Sequence, residues 1–67
     1  MHIYLNGQIT EELPPELTVS ELVGQLDLAG KRIAVELDGV IIPRSKHAAT
    51  ALNDGCRIEI VSAIGGG

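Results

Sequence analysis

Apolar and polar positions alternate from the start of the chain. Ile3 and Leu5 alternate with His2, Tyr4 and Asn6, the two-residue period of a half-buried strand. Asn6-Gly7 follows, and both of its positions tolerate positive φ, so the pair predicts a tight hairpin. A returning strand is expected from Gln8 to about Leu13. Its pattern is weaker, because Glu11 falls on the parity of Ile9 and Leu13, and Pro14-Pro15 then ends it.

The period next changes to that of a helix. Thr18-Val19-Ser20-Glu21 reads as a capping box, in which each of Thr18 and Glu21 bonds the backbone amide of the other. Leu17 before the cap and Leu22 inside the helix form a hydrophobic staple. Val19, Leu22, Val23 and Leu26 recur at i, i+3, i+4 and i+7 as one apolar stripe. Glu16 and Glu21 suit the positive end of the helix dipole, and Gly30 is expected just past the helix C-terminus. A helix apolar on one side must lie on a flat partner.

The rest of the chain supplies it. Ile33, Val35 and Leu37 alternate with Ala34, Glu36 and Asp38; Asp38-Gly39 predicts a second tight turn; Val40-Ile41-Ile42 is a short strand ended by Pro43. From Ser45 to Leu52 a short helix or turn is expected, with Ala48, Ala51 and Leu52 on its apolar side. Asp54-Gly55 is a third turn. A last strand runs from Cys56 to Ser62, with Ile58 and Ile60 inward and Arg57 and Glu59 outward. The order strand, strand, helix, strand, strand, short helix, strand points to an α+β fold, one helix on one face of a mixed sheet.

Composition narrows the function. Sixty-seven residues make one domain, with residues 1–62 as the globular part and 63–67 as a tail. A single cysteine allows no internal disulfide, and His2 and His47 stand too far apart in sequence to suggest a zinc site, so no metal is expected. The core must be hydrophobic: 45% of the residues are apolar, and Tyr4 is the one aromatic among them. Without stacking aromatics and with a net charge of −4, nucleic acid is not an expected partner. The run Val40-Ile41-Ile42 is far too short to cross a bilayer. A lone thiol and no signal-peptide pattern at Met1-His2-Ile3-Tyr4 lead to the expectation of a cytoplasmic protein. A core this small leaves no room for an enclosed pocket of about 300 Å³, so an internal active site, and with it an enzyme, is not expected.

Few residues offer chemistry. No Ser-His-Asp set has any support in the spacing, and Gly65-Gly66-Gly67 precedes no helix that would make it a phosphate loop. Glu11-Glu12 reads as solvated surface. His47, between Arg44 and Lys46, reads as part of a solvated basic loop or as a contact with a partner or its nucleotide. Cys56 shares parity with Ile58 and Ile60 and should be a buried small hydrophobe, without a lowered pKa. The tail Ala63-Ile64-Gly65-Gly66-Gly67 is different. Its glycines add nothing to a core, yet a chain without Cβ atoms threads narrow channels. Five extended residues reach ~17 Å, far enough to carry a terminal carboxylate into another protein's active site. A frayed end or a residual linker would read the same way.

Taken together, the stretches Met1 to Gly7, Thr18-Val19-x-Glu21-Leu22, Val35-Glu36, Ile42-Pro43-Arg44-Ser45-x-His47-Ala48, Ala51-Leu52-x-Asp54-Gly55 and Ala63-Ile64-Gly65-Gly66-Gly67 resemble the ThiS family of thiamine-biosynthesis sulfur carriers. The resemblance covers nearly the whole chain. Cys56 departs from it, where the family commonly has an acidic residue. It implies a ubiquitin-like β-grasp, a mixed sheet of about five strands with one main helix and a flexible Gly-Gly tail. It also implies a protein co-substrate rather than an enzyme. An E1-like (ThiF-type) adenylyltransferase, using ATP and Mg²⁺, would adenylate the Gly67 carboxylate, and sulfur from a persulfide donor would make it a thiocarboxylate. A ThiG-type thiazole synthase would take the sulfur. The carrier itself would hold no permanent cofactor and need no maturation protease. Gly65 and Gly66 would thread the partners, with Ile64, Arg44 and His47 as partner contacts. The alternatives are a carrier for molybdopterin or tRNA thiolation, and a β-grasp interaction module whose tail does no chemistry.

Overall fold

Two residue pairs that accept positive φ fix both hairpins. Asn6 and Gly7 (φ 50° and 82°) join β1 (Ile3–Leu5) to β2 (Gln8–Thr10), and Asp38 and Gly39 (φ 49° and 85°) join β3 (Ile33–Leu37) to β4 (Val40–Ile42). The computed structural model of the chain describes residues 1–62. Its one α-helix, α1 (Val19–Gln25), lies between the hairpins; a 3₁₀ segment (Arg44–Ala49) and the last strand, β5 (Arg57–Ser62), follow. The strand order is β2-β1-β5-β3-β4. β5 lies in the middle, parallel to β1 and antiparallel to β3, and each hairpin is antiparallel. This is the expected α+β mixed sheet of five strands, the β-grasp arrangement.

Alternation places Ile3, Val35, Ile58 and Ile60 on the face that α1 covers with Val19, Leu22 and Val23, and all of these are buried. The capping box forms: the Glu21 amide donates to Thr18 Oγ1 at 3.1 Å, and the Thr18 amide donates to Glu21 Oε1 at 2.9 Å. Leu17 and Leu22, the two ends of the staple, are both in the core. Two further bonds tie the start of the helix to the chain before β5, the Val19 amide to the Thr50 carbonyl and the Leu52 amide to the Leu17 carbonyl.

Three local expectations are corrected. β2 stops at Thr10 rather than near Leu13. Thr10 pairs with Ile3, and Met1 and Leu13 exchange bonds in both directions, so three steps on one strand face two on the other. Glu12 turns through φ 63° to absorb the extra residue, as in a β-bulge. The hairpin register sets Ile9 opposite Tyr4 and away from the core, and the bulge then reverses the parity so that Leu13 packs against it. The helix ends at Gln25, leaving Leu26 at its cap and partly exposed. The left-handed residue behind the cap is Asp27 (φ 61°), not Gly30. The Leu28 amide bonds the Val23 carbonyl and the Asp27 amide bonds the Gly24 carbonyl, the pair of bonds of a Schellman end. In the 3₁₀ segment Ala48 is exposed, as is Ala51 beyond it, and the inward residue of the segment is His47.

The turn at Asp54-Gly55 holds the N-terminus. One oxygen of Asp54 accepts from the His2 amide at 2.9 Å and lies 3.1 Å from its ring Nδ1. The His2 amide, with the His2 charge in support, holds the Asp54 carboxyl below its ordinary range. A carboxyl whose pKa is lowered by folding adds stability above its unfolded pKa and loses it as the pH falls through the folded value. Asp54→Asn is therefore expected to lose less stability than the native chain between neutral pH and about pH 2, read by urea denaturation at each pH. Equal acid losses would show that this carboxylate is not held.

Candidate functional site

The central strand connects the globular part to the tail. Ile58 and Ile60 of β5 face the core, while Arg57, Glu59 and Val61 face the side of the sheet that no helix among the described residues covers. β5 is hydrogen-bonded on both sides and runs to Ser62, opposite Ile33. The described residues end at Ser62. The expected reactive and threading residues Gly65, Gly66 and Gly67, and the expected contact Ile64, lie outside the described residues.

Arg44 is exposed, and its guanidinium donates to the Lys31 carbonyl at 2.6 Å. His47 corrects the expectation of a solvated basic loop. It is only 9% exposed, and its Nε2 lies 3.0 Å from the Ile42 carbonyl. The ring pegs the 3₁₀ segment to the end of β4. Its neighbours Arg44 and Lys46 are charged, and only the turn of the 3₁₀ segment separates their direction from that of His47. Arg44 and His47 border one shallow groove of about 210 Å³ between α1 and the 3₁₀ segment, with Ser20, Val23 and Leu28 on its other side.

Cys56 is buried, and burial pushes its thiol up, so it is a poor nucleophile. Among the described residues no three His, Cys, Asp or Glu side chains gather into a metal-holding group. No helix among them is long and apolar enough to cross a membrane.

The bare face of the sheet is the feature that the sequence pattern hides. Ile41 is 68% exposed and Val61 57%, and Tyr4 and Ile9 are also open to solvent. Between them the register sets Glu36 of β3 directly opposite Glu59 of β5. The outward parity of Glu36 and Glu59 is readable from each strand separately, but their pairing needs a register that no hairpin turn sets. Ile9 lies on this face because the first hairpin sets it opposite Tyr4.

With this geometry in place, the relatives are informative. The ThiS family model matches residues 2–67, through the last glycine. The chain belongs to the ThiS family. A crystal structure of the thiamine biosynthesis protein ThiS from Geobacter metallireducens superposes with a TM-score of 0.85 at 33% identity, covering all of both chains. This ThiS-family chain is also 39% identical over 67 residues to a thiazole synthase of Paramagnetospirillum magneticum, and spans 20% of that protein's length. A protein named ycf40 from Pyropia yezoensis is 32% identical over 65 residues, 97% of this chain and 90% of that one. The ubiquitin-like β-grasp expected of a ThiS-family protein is thus the fold found.

Proposed function

We propose that this ThiS-family chain is a sulfur carrier in thiamine biosynthesis, a protein co-substrate that delivers sulfur for the thiazole ring from the end of its tail. The observation that carries the reading is the family match through Gly65-Gly66-Gly67, on a fold whose described part is a filled core bordered by open clefts. The likeness to a thiazole synthase over the full 67 residues favours the thiazole destination over molybdopterin or tRNA thiolation.

The chemistry needs a leaving group, because a carboxylate does not react with nucleophiles. In the proposed sequence a carboxylate oxygen of Gly67 attacks the α-phosphorus of ATP in an E1-like adenylating enzyme, with Mg²⁺ supplied there, and pyrophosphate leaves. The terminal sulfur of a persulfide donor then attacks the acyl carbon, and AMP leaves. A thiol cleaves the resulting sulfur–sulfur bond and is itself left in a disulfide, which frees the thiocarboxylate. Thiazole synthase accepts that sulfur. The globular domain contributes a surface for the partners to hold. The tail contributes reach, and its glycines can pass where a Cβ would collide.

The test is pyrophosphate exchange. Purified chain, its organism's E1-like enzyme, ATP and Mg²⁺ are expected to exchange labelled pyrophosphate into ATP only when the chain is present. Exchange that does not depend on the chain, or no exchange at all, contradicts the proposal.

A further inference from the structure

Four of the 5 lysines and arginines of this acidic chain, Lys31, Arg32, Arg44 and Lys46, fall in two short segments that the fold brings together. The Arg44 guanidinium donates to the Lys31 carbonyl at 2.6 Å, which holds it against the loop that precedes β3. All four residues are exposed, and among the described residues none of them pairs with a carboxylate. A guanidinium has several donors, so Arg44 keeps others to offer. The groove of about 210 Å³ opens at this basic end. Val23, Leu28 and Ile33 form its apolar wall, and no acidic residue lines it. It is smaller than the ~300 Å³ usual for a drug-sized ligand. The occupant that suits it is one aliphatic side chain followed, a short way on, by a carboxylate.

The chain itself carries such a sequence to this place. Ser62 pairs with Ile33, so the chain leaves its described part beside the groove. Ser62 also shares the parity of Ile58 and Ile60, which face the side of the sheet that α1 covers. Beyond it the sequence reads Ala63-Ile64-Gly65-Gly66-Gly67. Two extended residues span ~7 Å and five ~17 Å, which puts Leu28 and Ile33 within reach of Ile64 and Arg44 within reach of Gly67. A tether this short gives an effective concentration in the millimolar range, which an untethered ligand has to exceed. We propose that the groove is a docking site for the chain's own tail, with Ile64 against Val23, Leu28 and Ile33 and the Gly67 carboxylate on Arg44. This rests on the carrier reading above for the free carboxylate at Gly67. Docking holds the reactive end on its own domain until the adenylating enzyme draws it out. One side chain and one exposed ion pair add little to the fold, so the melting temperature does not report the contact.

The experiment is nuclear magnetic resonance on the full chain at neutral pH and low salt, with isotope-labelled Ile, Leu and Val methyl groups and no enzyme. It compares the native chain, an Arg44→Gln variant, and a chain whose Gly67 carboxylate has been converted to an amide, which leaves the groove untouched. The native chain is expected to show nuclear Overhauser cross-peaks from the Ile64 methyls to those of Val23 and Leu28. Both altered chains should lose at least about half of that intensity, and about 0.5 M salt should weaken the native peaks in the same way, because it screens an exposed charge pair. No cross-peaks in the native chain would overturn the proposal and leave the groove to an untethered ligand or a partner's side chain. Full intensity in the amide chain or in Arg44→Gln would overturn it as well. Pyrophosphate exchange by the same native preparation reports the carrier reading separately. Exchange without cross-peaks sinks the docking alone, whereas amide-sensitive cross-peaks without exchange uphold the docking and sink the carrier reading.

Discussion

A chain lacking Gly66 and Gly67 is expected to lose pyrophosphate exchange down to background while its melting temperature stays where it was. The core found among the described residues runs from Ile3 to Ile60, and glycines have no side chain to add to it. The reactive carboxylate, in contrast, is proposed to be that of Gly67, and moving it back by two residues withdraws it by about 7 Å. No compensation by tighter docking is available, because a misplacement of even about 1 Å at a reacting centre can cost on the order of a hundredfold. Exchange kinetics and a thermal melt of the same preparation check both halves. Retained exchange would mean that the shortened terminus is still adenylated, and would contradict the role proposed for the position of Gly67.

The second large effect concerns stability. Leu22→Ala should cost about 2–5 kcal/mol, the range for emptying a buried leucine site. Leu22 is 2% exposed and belongs to the stripe that holds α1 to the sheet, next to Val19 and Val23. Small domains have little stability in reserve, of the order of a few kcal/mol, so much of the variant should be unfolded at 25 °C. Urea denaturation followed by circular dichroism measures it. A midpoint close to the native one would show that the α1 contact is not what holds the fold.

What could be read from the sequence was what neighbours in the chain decide. Asn6-Gly7 and Asp38-Gly39 are two-residue signals for positive φ, and both hairpins formed there. Thr18 and Glu21 reach each other within one helical turn, so the cap needed no tertiary knowledge. The strict alternation of Arg57, Ile58, Glu59 and Ile60 assigned the faces of β5 correctly.

The misses lie where distant residues decide. The bulge at Glu12 comes with the two bonds that Met1 and Leu13 exchange, and it turned Leu13 to the opposite face from Ile9, with which it shares parity. Asp27 took the left-handed cap position, because Val23 and Leu28 fix where the helix stops; Gly30 serves a later turn. His47 looked solvated because Arg44 and Lys46 flank it, but the 3₁₀ segment directs it at the Ile42 carbonyl. Of the expected site, Arg44 is exposed and His47 buried, while Ile64 and the glycines fall outside the described residues. The Glu36–Glu59 pair was invisible for the same reason as the bulge: its register is set between strands that are far apart in sequence.

The most direct test of the carrier reading is the chemical state of the last residue. A Cys56→Ser chain, which removes the one competing thiol, is incubated with ATP, Mg²⁺, the E1-like enzyme and a persulfide donor, and its C-terminal fragment is examined by mass spectrometry. The reading predicts one oxygen replaced by sulfur on the fragment that contains Gly67, and no such change without ATP. An unmodified terminus, under conditions in which an established carrier becomes thiolated, would contradict it.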